Sequence, residues 1–138
     1  MEINVSTRSA AKRGFITALA TLYVQELRLE RSRVTVHIST VPGLLKSTGY
    51  RGGCVQISDH EISVAVDSRL DVETLATVLA HEMVHVKQYA KGQLKVAGSR
   101  FQWLGKTHRG GYYDSPWELE AFGRERLLSN KFAQLMVQ

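Results

Sequence analysis

A chain of 138 residues is long enough for one domain and leaves no room for a second independent core. With 43% apolar and 22% charged residues it carries the side chains a core needs, which excludes a disordered tail. Its 18 Lys and Arg against 13 Asp and Glu leave a net charge of +5, a balance that permits an acidic partner such as nucleic acid without requiring one.

The first long element is expected from about Thr7 to Glu30. There Phe15, Ala18, Leu19, Leu22 and Leu29 recur at helical spacing, and Gly14 weakens the early part. Arg33 to Ser39 alternates, with Val34, Val36 and Ile38 on one face, which predicts a half-buried strand. Pro42-Gly43 ends it, and Ser47 to Gly49 reads as loop. Two short strands follow, Cys54 to Ser58 behind Gly52-Gly53 and Glu61 to Val66. The link Ser58-Asp59-His60 is short enough to make them a hairpin. Asp71 suits the cap of a second helix that runs to about Lys91 and stops at Gly92. Residues 93 to 114 look irregular, with one strand at Arg100 to Leu104. Ser115-Pro116 opens a last helix whose stripe is Trp117, Ala121, Arg124, Leu128 and Leu135. The order implies an α+β fold: a small sheet, an N-terminal helix, a central helix and a C-terminal helix.

One cysteine, Cys54, excludes an internal disulfide framework and a multi-cysteine zinc finger, and fits a reducing compartment. The start Met1-Glu2-Ile3-Asn4-Val5-Ser6 does not read as a secretory signal. No apolar stretch approaches the roughly 20 residues of a membrane span. The expectation is a single intracellular domain, residues 1–138, away from the membrane.

The second helix contains His81-Glu82-Met83-Val84-His85, the pattern H-E-x-x-H. Two His at i and i+4 lie on one helix face, where their imidazoles can converge on one metal ion. The neighbouring Glu82 is placed to take a proton from a metal-activated water. Leu75, Val78, Leu79, Val86 and Tyr89 form an apolar stripe that includes Glu82. An ionised carboxylate on a core-facing stripe costs several kcal/mol unless something compensates it. The plain alternative is an ordinary helix with two surface His and a Glu paired to an Arg.

A catalytic zinc needs a third protein ligand. His37, His60, His108, Asp114, Glu118 and Glu120 are the candidates, and the acids on the last helix are favoured because a rigid element carries them. Each has an ordinary explanation as well. Ser115-Pro116-Trp117-Glu118 is a capping box, and Glu120 with Arg124 is an i,i+4 ion pair. Helix geometry puts the two acids about 200° apart, so only one of them can point at a given ion.

The run His81 to Tyr89, followed by Pro116-Trp117-Glu118-Leu119-Glu120-Ala121, resembles small zinc metallopeptidases of the gluzincin type, many of them phage-encoded or bacterial. The resemblance covers about residues 50 to 125 and implies a minimal zincin-like fold. It implies Glu118, in a Glu-x-x-Ala pattern, as third ligand of one zinc per chain. The pair Tyr112-Tyr113 also matches. Many gluzincins carry an Asp four residues after the ligand Glu to support a zinc His; here Phe122 stands in that place.

The expected function is peptide-bond hydrolysis on a peptide or protein substrate, with His81, His85 and Glu118 on zinc and Glu82 as general base. Tyr112, Tyr113 or His108 would stabilise the oxyanion, a tyrosine being favoured. The edge of Gly53 to Ser58 would hold an extended peptide. A phage-encoded chain would act in the host cytoplasm or in the virion. Two alternatives stand beside this: a catalytically silent zinc-binding interaction module, and an SprT-like protease acting on DNA-associated proteins through Arg100, Lys106, Arg109, Arg124, Arg126 and Lys131. The sequence sets no oligomeric state.

Overall fold

Val36 and Ile38 are buried while Thr35, His37 and Ser39 are only partly covered, so the alternation in the sequence is that of a strand with one face on the core. In the computed structural model, which describes residues 1–111 and 114–137, this strand is β2 (Thr35–Val41) of a four-stranded sheet. Beside it lie β1 (Glu2–Ser6) and β4 (Glu61–Asp67), both parallel to it. The outer neighbour of β4 is β3 (Gly52–Ser58), antiparallel and at the sheet edge. The expected hairpin is present, with an irregularity between Gln56 and Ser58.

The strand β1 has no counterpart in the sequence reading. It is five residues long, and its partner β2 lies across a crossover helix, so the pairing that stabilises it is invisible locally. The helix α1 (Ala10–Glu26) is shorter than Thr7 to Glu30. Ser9 caps it, its hydroxyl accepting the Lys12 N–H at 3.2 Å. Arg28 turns left-handed, φ 58°, and sends the Leu29 N–H back to the Val24 carbonyl at 2.8 Å. Leu29 is therefore buried from beyond the helix. The buried face is Ile16, Leu19, Ala20, Tyr23 and Val24, while Ala18 is exposed and Phe15 and Leu22 are only partly covered. Apolar residues lie almost all round this helix, so spacing alone does not choose between overlapping stripes.

A short helix α2 (Leu44–Thr48) replaces the expected loop between β2 and β3, entered and left through left-handed Gly43 and Gly49. It is tied to the sheet by Asp67, whose carboxylate accepts the N–H of Leu45 and of Arg69, each at 2.8 Å. These two bonds hold the Asp67 carboxyl below the usual carboxylate range. The helices α3 (Val72–Ala90) and α4 (Pro116–Met136) start at Asp71 and Ser115, as the capping signals predict. On α4 the stripe is buried at Trp117, Ala121 and Leu128, but Leu135 is exposed beyond the core.

Residues 93 to 114 are more regular than expected. A second antiparallel sheet forms there, β5 (Leu94–Ala97), β6 (Arg100–Trp103) and β7 (Lys106–Thr107). Its turns use positive φ at Gly98, Leu104 and Gly105. Strands this short show no readable alternation.

The fold is α+β. Val36, Ile38, Ile62, Val64 and Val66 of the sheet share one buried cluster with Ile16, Leu19 and Tyr23 of α1 and Leu79 and Met83 of α3. The Tyr23 hydroxyl donates to the Ala76 carbonyl at 2.9 Å and fastens α1 to α3. The helix α3 is thus wedged between sheet, α1 and α4, and every residue from His81 to Tyr89 is buried. Among the described residues no helix is long and apolar enough to cross a membrane.

Candidate metal centre

At 100° per residue, His81 and His85 share the side of α3 that faces α4, while Glu82 turns toward β3. The first turn of α4 brings Glu118 to the two His. Its Oε1 lies 2.9 Å from His81 Nε2, and its Oε2 lies 3.1 Å from His85 Nε2. All three side chains are buried, and one ligand atom from each falls within 4.8 Å of the others, so the group can hold a metal ion. Ligands of a tetrahedral zinc with bonds of roughly 2.0–2.1 Å stand about 3.4 Å apart, close to these separations.

The outer hydrogen bonds set the tautomers. His81 Nδ1 lies 2.7 Å from Glu125 Oε2, so this nitrogen is the N–H donor. The Gln88 amide nitrogen donates to the Trp117 carbonyl and to Glu120 Oε1, both at 2.9 Å. Its oxygen is thereby turned to His85 Nδ1, 2.8 Å away, which must be the donor. Both Nε2 atoms then face the Glu118 carboxylate. Contacts this short between ring nitrogens and a carboxylate call for positive charge between them, supplied by protons on the rings or by a shared metal ion. Outer partners that fix the ring in this way are usual for metal-binding His.

Electrostatics point the same way. Burial alone would push the Glu118 carboxyl up, but hydrogen bonds and charge from His81 and His85 bring it down to about 2, so it is an anion at neutral pH. Burial disfavours protonation of the two rings, but Glu118 and Glu82 together, with Glu125 at His81 and Gln88 at His85, outweigh it and raise both, so a metal ion would bind by displacing protons. Glu82 is raised by burial, against the lowering effect of His85 and His81. Cys54 on β3 is pushed well above its ordinary range by burial and by the carboxylates of Glu82 and Glu118, which makes it an unreactive neutral thiol in the wall.

The centre opens on a cavity of about 680 Å³ between β3, the β5–β7 sheet and the start of α4. Glu82, His85 and Glu118 line it. Gly52 allows β3 to come this close: a Cβ there would stand 2.7 Å from Val78 Cγ1 and 3.1 Å from Glu82 Oε2. The Gly52-Gly53 pair before the strand was the only sequence signal for this approach.

Of the other ligand candidates, His37 pairs loosely with Glu61 at 4.0 Å, and His60 and Asp114 are exposed. None of the three joins the group. His108 stands edge-on to Trp117 in the cavity wall, ring centroids 4.9 Å apart. Tyr112 and Tyr113 lie outside the described residues. The Ser115 hydroxyl accepts the Glu118 N–H at 3.4 Å, so the cap exists while the Glu118 carboxylate is turned to the two His.

Glu120 departs from expectation. It meets Arg124 at 3.4 Å, but it also takes Lys87 and the Gln88 amide, and so belongs to the bonds that orient His85. It is a buttress, where the sequence suggested a solvated ion pair. Phe122, in the place of the gluzincin Asp, packs on His81 with centroids 4.7 Å apart. The supporting carboxylate comes from Glu125 instead. Seven residues after Glu118 is two helical turns on the same face, a spacing that could have singled it out. Two residues of the basic set, Arg124 and Lys131, stand opposite Glu120 and Glu26, the latter at 3.9 Å.

Replacing Glu125 by Ala is expected to weaken zinc binding about 10–100-fold while leaving the far-UV spectrum unchanged. Competition against a chromogenic chelator measures it, and unchanged affinity would show that Glu125 does not support His81.

No protein-family model, no curated protein and no solved structure matches the chain.

Proposed function

We propose that the chain is a zinc-dependent peptidase of minimal, gluzincin-like build, with His81, His85 and Glu118 as ligands of one zinc ion and Glu82 as general base. The observation that supports it most is the convergence of two tautomer-locked Nε2 atoms on a buried carboxylate beside an open cavity. A His-His-carboxylate set suits zinc, which when bound supplies Lewis acidity that polarises a carbonyl and eases loss of a proton from water.

The remaining roles belong to the chain itself. Glu82 lines the cavity next to His85, and burial raises its affinity for a proton, which suits a group that must accept one and give it back. It takes a proton from the attacking water and returns it to the leaving amine nitrogen. The edge strand β3 has one side unpaired and offers its N–H and C=O groups to an extended peptide. Oxyanion stabilisation falls to His108, Tyr112 or Tyr113, of which His108 stands in the cavity wall. The substrate is a peptide or protein, and the lone thiol Cys54 suits an intracellular setting.

Metal analysis tests this most directly. Purified protein should carry about one zinc per chain, and His81→Ala or His85→Ala should lose most of it. Full retention of zinc in both variants would rule the centre out.

A further inference from the structure

The lining of the cavity that holds Glu82 also carries charge of the other sign. The antiparallel register of β6 and β7 pairs Gln102 with Thr107 and Trp103 with Lys106. One further bond, from the His108 N–H to the Phe101 carbonyl at 3.0 Å, ties the segment after β7 to β6. Arg100 and Arg109 both line the cavity. Among the described residues no carboxylate pairs with either guanidinium, and the only acids lining the cavity are Glu82 and Glu118, which the proposed chemistry occupies. A bound anion would relieve the pair. The same lining is aromatic, with Phe101 against Trp117 at 5.2 Å between centroids and Tyr50 as a further lining residue.

We propose that Arg100 and Arg109 are specificity residues, and that the peptidase selects peptides that place a carboxylate in this cavity, beside an apolar or aromatic residue. This rests on the peptidase reading for its substrate class. The carboxylate is either an acidic side chain or the free C-terminus of the peptide. The planar fork of an arginine binds either one through two parallel N–H bonds.

The test uses three fluorescein-labelled peptides of one uncharged core sequence containing Phe. One carries an acidic side chain and an amidated C-terminus, one is neutral with a free C-terminal carboxylate, and one is neutral and amidated. Binding to zinc-loaded Glu82→Gln protein is read by fluorescence anisotropy, so no turnover is needed. At least one carboxylate peptide should bind roughly tenfold more tightly than the neutral amide, which two exposed charge contacts can supply. The tighter of the two identifies the source. In Arg100→Gln/Arg109→Gln protein the preference should vanish, with the circular dichroism spectrum unchanged because both side chains are exposed. Equal binding of all three peptides, or a preference that survives the double substitution, overturns the proposal. Cleavage by the parent protein is scored separately. Hydrolysis without charge preference sinks the arginine assignment alone, whereas charge-selective binding without hydrolysis keeps that assignment and sinks the peptidase reading.

Discussion

Glu82→Gln is expected to keep zinc bound and to lower peptide hydrolysis by about 10²–10⁴-fold. The substitution keeps the shape that fits against Gly52 and Val78 and removes only the ability to accept a proton. Glu82 is not in the ligand group, so metal content should match the parent. The pH profile should also respond. Burial raises the Glu82 carboxyl, so the base is ionised only above a pKa higher than that of an ordinary glutamate. A zinc ion beside it would pull the value back down, so the expectation concerns the limb itself: an acid limb of kcat/KM seen in the parent should be missing from the residual activity of the variant. Hydrolysis at the parental rate in the variant would take the general-base role away from Glu82.

Glu118→Gln should weaken zinc binding by more than the roughly 10–100-fold that loss of an outer partner costs, because a charged ligand is replaced by a neutral amide. The cap of α4 should survive, since it depends on the Ser115 hydroxyl and the Glu118 backbone N–H, both still present. Glu120→Gln is the matched comparison, and the structure changes what to expect of it. The new amide keeps an oxygen for the Gln88 amide but loses its charge contacts with Lys87 and Arg124. A loss below about tenfold in zinc affinity is expected, transmitted through Gln88 to His85. Zinc titrated into both apo variants decides the matter. A larger loss in the Glu120 variant than in the Glu118 variant would move the ligand to Glu120 and break the Glu-x-x-Ala match.

Both substitutions concern residues that the linear pattern singled out, because the information lies within one helix at a time. His81, Glu82 and His85 depend on 100° per residue and on nothing else. Glu118 was preferred over Glu120 only through the resemblance to gluzincins, since spacing left both acids of the last helix open. The caps at Asp71 and Ser115, the hairpin through Ser58-Asp59-His60 and the alternation of β2 were legible for the same reason: each is a relation between residues a few positions apart. The elements that were misread depend on distant partners. The strand β1 requires β2, the turn α2 is held by Asp67 at the far end of β4, and the apolar face of α1 is chosen by the sheet and α3. The strands β5 to β7 were too short to show a period.

Taken alone, the amino-acid sequence determined the two His on one helix face, the inward Glu between them and the α+β order of elements, since all of these follow from local backbone geometry. Only the tertiary structure decided what surrounds them. The packing of α4 on α3 brings Glu118 between the two Nε2 atoms and sets Glu125 on His81, and the Gln88–Glu120 contact across the same interface orients His85. That Arg100 and Arg109 line one cavity with Glu82 is seen only when the chain is folded. Hydrogen bonds between helices and charges across a cavity depend on distances in space, and their partners stand 29 and 44 residues apart along the chain, too far for local spacing to show them.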